Sequence, residues 1–175
     1  MALTDLSKLP ECISGAGPIV ADTWNGDGST VYTHGQLLEK LTNGTCIAAT
    51  ADHATNGIHA QYVGPTLTAA TSGRIVIRDI TEDSRFLVQL HHDTPASAVA
   101  AQANVGDQHA IVISGAVWGI DIETALSNNG DVEITDLWDN LFTFDLDNPI
   151  SNTEQYGLVE VKFLPARLAL APSAA

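Results

Sequence analysis

Phe86-Leu87-Val88-Gln89-Leu90 and Leu158-Val159-Glu160-Val161-Lys162-Phe163 decide the fold class of this chain. In the first run Phe86, Val88 and Leu90 fall on one face; in the second Val159, Val161 and Phe163 do, while Glu160 and Lys162 fall on the other. A period of two is that of a half-buried β-strand, because successive side chains of extended backbone point to opposite sides. Short runs of the same kind recur between turn residues from Cys46 onward. They predict strands over 46–50, 58–63, 74–80, 86–92, 109–114, 117–122, 131–137 and 158–164. The expected fold is mainly β, a compact β-barrel or sandwich. Asn128-Asn129-Gly130-Asp131 predicts a hairpin turn joining the strands at 117–122 and 131–137.

Working outward toward the N-terminus, the pattern changes. Residues 1–24 carry scattered apolar side chains and a Gly15-Ala16-Gly17-Pro18 element, and read as an extended N-terminal arm. Asn25-Gly26-Asp27-Gly28 reads as a tight turn. One short α-helix is expected next. Thr33 with Gln36 fits a capping box, Tyr32 with Leu37 a hydrophobic staple, Leu37, Leu38 and Leu41 one apolar face, and Asn43-Gly44 a stop. The Ala-rich stretch over 94–103 fits either a short helix or a long connection. The last residues, from Pro165, are rich in Ala, Leu and Pro and read as a tail that packs on a neighbour or frays. The chain thus divides into an arm and helix over 1–45, a β domain over 46–165 and a tail over 166–175.

A length of 175 residues suits one core. Seven basic against 21 acidic residues give a formal charge of −14, which repels phosphate backbones, so nucleic acid is not an expected partner. No apolar run approaches the roughly 18 residues of a membrane-spanning helix, so no membrane partner is expected. Met1-Ala2-Leu3-Thr4-Asp5 lacks the basic start and apolar stretch of a signal peptide, so export by that route is not expected. Cys12 and Cys46 are not in a CxxC arrangement and are too few for a disulfide framework; a bridge between them would need an oxidising compartment, which no secretion signal supports, so they read as free thiols.

The acids cluster: Asp121, Glu123, Asp131, Glu133, Asp136, Asp139, Asp145 and Asp147 fall in a stretch without Lys or Arg. Alternation with Ile and Val places Asp121, Glu123, Asp131 and Glu133 on one outward, solvated face of the expected hairpin. Selection of a partner by that charge is the rival reading. Calcium fits less well, since Asn25-Gly26-Asp27-Gly28-Ser29 has Thr30 where an EF-hand loop needs glycine. The six histidines read as structural or surface residues: His91 and His92 are adjacent on a strand and point apart, and no HExxH or HxH element occurs. GxSxG, SxxK and phosphate-loop patterns are absent from the sequence. No catalytic residue, cofactor or metal ligand is therefore assigned, and no enzyme is expected. Trp24, Trp118, Trp138 and Tyr62 fit either core packing or a glycan- or peptide-binding groove. The arm and tail, with no evident home in a barrel, supply the expected interface residues Pro18, Ile19, Trp24, Leu168 and Leu170.

One resemblance adds to this reading. Val105-Gly106-Asp107-Gln108-His109-Ala110-Ile111, Gly115-Ala116-Val117-Trp118-Gly119-Ile120-Asp121, Asp131-Val132-Glu133-Ile134-Thr135-Asp136 and Gly157-Leu158-Val159-Glu160-Val161-Lys162-Phe163-Leu164 resemble the pattern of tailed-bacteriophage virion structural proteins, in particular head decoration or cement proteins. The likeness covers about residues 70 to 165 and rests on β-barrel punctuation. It implies a β-rich protein made in the host cytoplasm, without cofactors, bound to the major capsid protein on the outer surface of the capsid, often as a homotrimer. A head-fibre or adhesin-type module that binds a host glycan through exposed aromatics is the alternative.

Overall fold

The computed structural model describes residues 11–50, 57–94, 97–114, 117–123, 130–137 and 157–168. Two sheets organise them. The first runs in the order β1 (Glu11–Ser14), β8 (Arg85–His91), β10 (Val117–Asp121), β9 (Gln108–Ser114), β11 (Val132–Leu137) and β12 (Leu158–Phe163). β12 also pairs with β8, which closes β8, β10, β9, β11 and β12 into a five-stranded barrel. β8 and β10 are parallel, and the other barrel pairs are antiparallel. The second sheet runs in the order β2 (Ile19–Val20), β7 (Ile77–Asp79), β6 (Ala60–Tyr62), β4 (Leu37–Lys40), β5 (Thr45–Ala48) and β3 (Asn25–Gly26). Its far edge curls back: Asn25 bridges Arg74, and the Gly26 amide donates to the Gly73 carbonyl at 2.8 Å.

The period of two explains where the core lies. Phe86, Val88, Leu90, Val159, Val161 and Phe163 are all buried, together with Trp118, Ile120, Val132 and Ile134, in the barrel cluster. The opposite face of β12 and its neighbours carries charges of alternating sign. Glu133 lies opposite Lys162 and pairs with it at 2.8 Å, and Arg85 approaches Glu160 at 3.9 Å. The second sheet has its own cluster of Tyr32, Leu38, Cys46, Ala60, Tyr62, Ile75 and Ile77. Leu37, Ala49, Ile58 and Ile80 belong instead to the barrel cluster and join the two sheets.

All eight expected strands are present, with ends within three residues of those expected. The mainly β, barrel-containing fold is as expected. Several finer expectations are corrected.

The helix expected after Tyr32 is not one, because Leu37–Lys40 is strand β4. Adjacent residues Leu37 and Leu38 face different clusters, as extended backbone requires. The capping signal itself is genuine. The Thr33 amide donates to Gln36 Oε1 at 3.0 Å, and the Gln36 amide donates to the Thr33 carbonyl at 3.0 Å. It closes a single turn, within which Gly35, at φ 89°, redirects the chain toward β4. The division expected between 45 and 46 consequently falls inside the β4–β5 hairpin.

The one α-helix among the described residues is α1 (Pro165–Leu168), at the start of the expected tail, and its Arg167 is buried. The described part of the arm is extended but tied down: β1 pairs with β8 and β2 with β7. The hairpin expected at Asn128–Asp131 does not pair its flanking strands, since β10 and β11 both lie against β9, on opposite sides. Asp131 is not outward but fully buried. In the Ala-rich stretch the described residues form a connection in which Ala98 and Ala100 pack on the barrel cluster, ending in a 3-10 turn at Gln102–Asn104.

Candidate functional site

The surface expected to make contacts is built where the chain passes from the barrel sheet to the second sheet. Gly15 sits at φ 60°, and a Cβ there would lie 1.8 Å from the Asp83 carbonyl oxygen. Only glycine lets the backbone press so closely on 83–84. The Ser84 hydroxyl donates to the Gly15 carbonyl at 2.9 Å and holds the turn. The Asp79 amide then donates to the Pro18 carbonyl at 3.2 Å, and Ile19 enters β2, the outermost strand of its sheet. Pro18 is exposed, and Ile19 keeps 59% of its surface in solvent, against 46% for Val31, the other exposed large apolar residue among those described.

Trp24 is half-buried against the second cluster, with Lys40 Nζ 4.9 Å from its ring centroid. Lys40 in turn pairs with Asp79 at 2.5 Å. Leu168 packs partly on the barrel cluster, and Leu170 lies outside the described residues. Pro18, Ile19 and Trp24 thus belong to the second sheet, whereas Leu168 belongs to the barrel. Val31 escaped the sequence reading because it stands alone between turn residues, without a period to flag it.

An open cleft of about 370 Å³ lies between the 65–71 loop and the residues before β7. Tyr62, Pro65, Leu67, Thr71, Arg74 and Ile75 line it. The Tyr62 hydroxyl is engaged, donating to the Pro65 carbonyl at 2.8 Å. Trp118 cannot contribute to any groove, since it is 1% exposed and packs between Phe86 and Phe163, with ring centroids 5.5 Å from each. Trp138 lies outside the described residues.

The titratable residues are largely absorbed by the fold. Partial burial pushes the Asp27 carboxyl up, but hydrogen bonds from the side chains and amides of Ser29 and Thr30 outweigh it and hold Asp27 well below the usual carboxylate range. Burial pushes the Cys46 thiol up to about 12, so it stays protonated. Neither cysteine is in a disulfide. His91 is buried at the end of β8, while His92 Nδ1 accepts the Thr94 amide at 2.8 Å. No group of three or more His, Cys, Asp or Glu among the described residues is placed to hold a metal ion.

His109 is the buried group with the clearest consequence. Its Nδ1 lies 3.1 Å from the Asp121 carbonyl, which requires Nδ1 to donate, and buried Nε2 has no partner among the described residues. Burial pushes this imidazole below its ordinary value, against the Asp121 carbonyl bond and the charges of Asp107 and Asp121. Protonation would put an uncompensated N–H inside the protein. Because the folded value is lowered, the unfolded chain binds the extra proton first. Stability present above the unfolded value of about 6.5 is therefore lost as pH falls through it. Urea midpoints measured between pH 7.5 and 5 are expected to fall less in His109→Gln than in the parent; equal slopes would show that His109 carries none of the effect.

No protein-family model matches the chain, and no curated protein matches it.

Proposed function

We propose that the protein is a non-enzymatic structural component of a tailed-bacteriophage virion that binds the outer surface of the capsid and stabilises it. Its partner in this reading is the major capsid protein, and its working form is a homotrimer. The observation that carries the reading is the apolar edge at Pro18 and Ile19. β2 is outermost in its sheet, and Ile19 is the most exposed large apolar side chain among the described residues. An outer strand of this kind can add a partner's strand through main-chain hydrogen bonds, with the side chain taking a pocket.

The rest of the molecule supports such a role physically. The Gly15 turn fixes the edge to the barrel, so binding need not order a loose segment. A trimer multiplies a small contact into a strong one. The charge of −14 disfavours capture of loose nucleic acid by a protein that works beside packed DNA.

Purified protein is expected to co-sediment with expanded, undecorated heads at about micromolar concentration. Ile19→Asp is expected to fold normally and to weaken that binding by roughly tenfold or more, as loss of a central apolar anchor does. Parent protein that stays in the supernatant would sink the proposal. Glycan-array binding that is lost in Trp24→Ala would favour the head-fibre or adhesin alternative instead.

A further inference from the structure

Three charged side chains are buried where the two sheets meet. Arg167, on the four-residue helix α1, is 5% exposed and pairs with Asp131 at 2.5 Å. Asp131, just ahead of β11, is 0% exposed, and its Oδ2 also accepts the Ile111 amide at 2.9 Å. Glu39 of β4 is 6% exposed. By strand alternation Glu39 shares the face of Leu37, which belongs to the barrel cluster, while Leu38 and Lys40 share the other. Backbone bonds converge on the same place. The Arg167 carbonyl accepts the Ile58 amide at 2.7 Å from the second-sheet side, and the Asp131 carbonyl accepts the Leu164 amide at 2.9 Å from the approach to α1.

We infer that α1 is a clasp: Arg167 ties the barrel, through its side chain on Asp131, to the segment entering the second sheet, through its carbonyl on the Ile58 amide, and makes the two cores unfold as one unit. The apolar part of the junction is made by Leu37, Ala49, Ile58 and Ile80, the buried side chains from the second-sheet segments that join the barrel cluster. The buried Arg167–Asp131 pair, on the helix whose Arg167 carbonyl takes the Ile58 amide, therefore decides the coupling, and removing the cation leaves the Asp131 charge out of water. The cluster has one acid more than base, and Glu39 Oε2 has no hydrogen-bond partner among the described residues. Burial pushes the Glu39 carboxyl up, while the Arg167 charge pulls the other way. The other titratable groups around β4 are engaged. His59 Nδ1 accepts the Lys40 amide at 3.0 Å, and Lys40 pairs with Asp79 on the second-sheet face.

With the folded value of Glu39 raised, the folded protein holds the proton longer than the unfolded chain. Ionised Glu39 is thus a net cost to the folded state, a cost that grows as pH rises through the raised value, opposite in sign to the effect of His109.

The test is native-state hydrogen exchange on the full chain, comparing amides of 37–48 and 58–62 with those of 86–90 and 158–163. The parent is expected to protect both sets alike. Arg167→Met is expected to expose the second-sheet amides roughly tenfold or more over the barrel amides, because separate cores open separately. Equal protection of both sets in the variant would overturn the clasp. If Arg167→Met does not fold, Asp131→Asn decides. It keeps the shape of the side chain but removes the charge that holds α1, and should separate the two sets of amides in the same way; equal protection of both sets overturns the inference.

Discussion

Asp131→Ala is expected to destabilise the protein by about 3–5 kcal/mol, the cost of removing one member of a buried ion pair. The measurement is the urea midpoint at pH 7, and the loss is a large share of the roughly 5–15 kcal/mol by which ordinary domains are stable. Two losses add in this variant. Arg167 keeps its charge in a place with 5% exposure, and the Ile111 amide loses its acceptor. Asp131→Asn separates them, since an amide oxygen can still accept from Ile111 but cannot balance the guanidinium. It should therefore fall between the parent and Asp131→Ala. Glu133→Gln, two residues away, provides the contrast. Glu133 pairs with Lys162 at 2.8 Å on the outer face, where both side chains are more than a quarter exposed, and such pairs are worth about 0–1 kcal/mol. Equal losses at 131 and 133 would show that the burial of Asp131 has no energetic weight.

The same pair of residues marks where sequence reading stopped. Alternation puts Asp131 and Glu133 on one face of a continuous strand, and by that rule both should be wet. Asp131, however, lies one residue ahead of β11, where strand alternation no longer governs its direction. Its partner Arg167 comes from a stretch with no period of its own. A contact between two such positions leaves no local trace. Barrel strand β12, in contrast, was legible because it has one apolar and one polar face, Val159, Val161 and Phe163 against Glu160 and Lys162.

β4 failed for the opposite reason. Buried on both faces, it presents Leu37 and Leu38 in succession, and a strand covered on both sides reads as a continuous apolar run that periodicity cannot tell from a helix. The Thr33–Gln36 box then tipped the reading, although it specifies only one turn of backbone. At the candidate contact surface, Pro18 and Ile19 were legible as apolar residues with no periodic pattern to bury them. The strand that carries them was not, because a two-residue pairing such as Ile19 with Arg78 and Val20 with Ile77 is set by the partner strand.

Trp118→Ala is the second change expected to be severe, at about 3–5 kcal/mol by the usual cost of deleting a large buried side chain. The indole is 1% exposed, 5.5 Å from Phe86 and from Phe163, and those two rings are 5.7 Å apart, so the three aromatics pack as a set and a cavity there cannot close without moving all of them. Trp118→Phe should cost much less than Trp118→Ala. It refills most of the space and also removes Nε1, a buried donor with no partner among the described residues, whose desolvation the folded state otherwise bears. Unfolding midpoints of the two variants give the comparison, and a Phe variant as unstable as the Ala variant would show that the indole donor is satisfied in solution. The pair also bears on the glycan alternative. Binding lost in Trp118→Ala but kept in Trp118→Phe would report loss of fold, whereas Trp24, half-buried beneath Lys40, is the described tryptophan at which a loss of binding with an unchanged midpoint would report a surface contact.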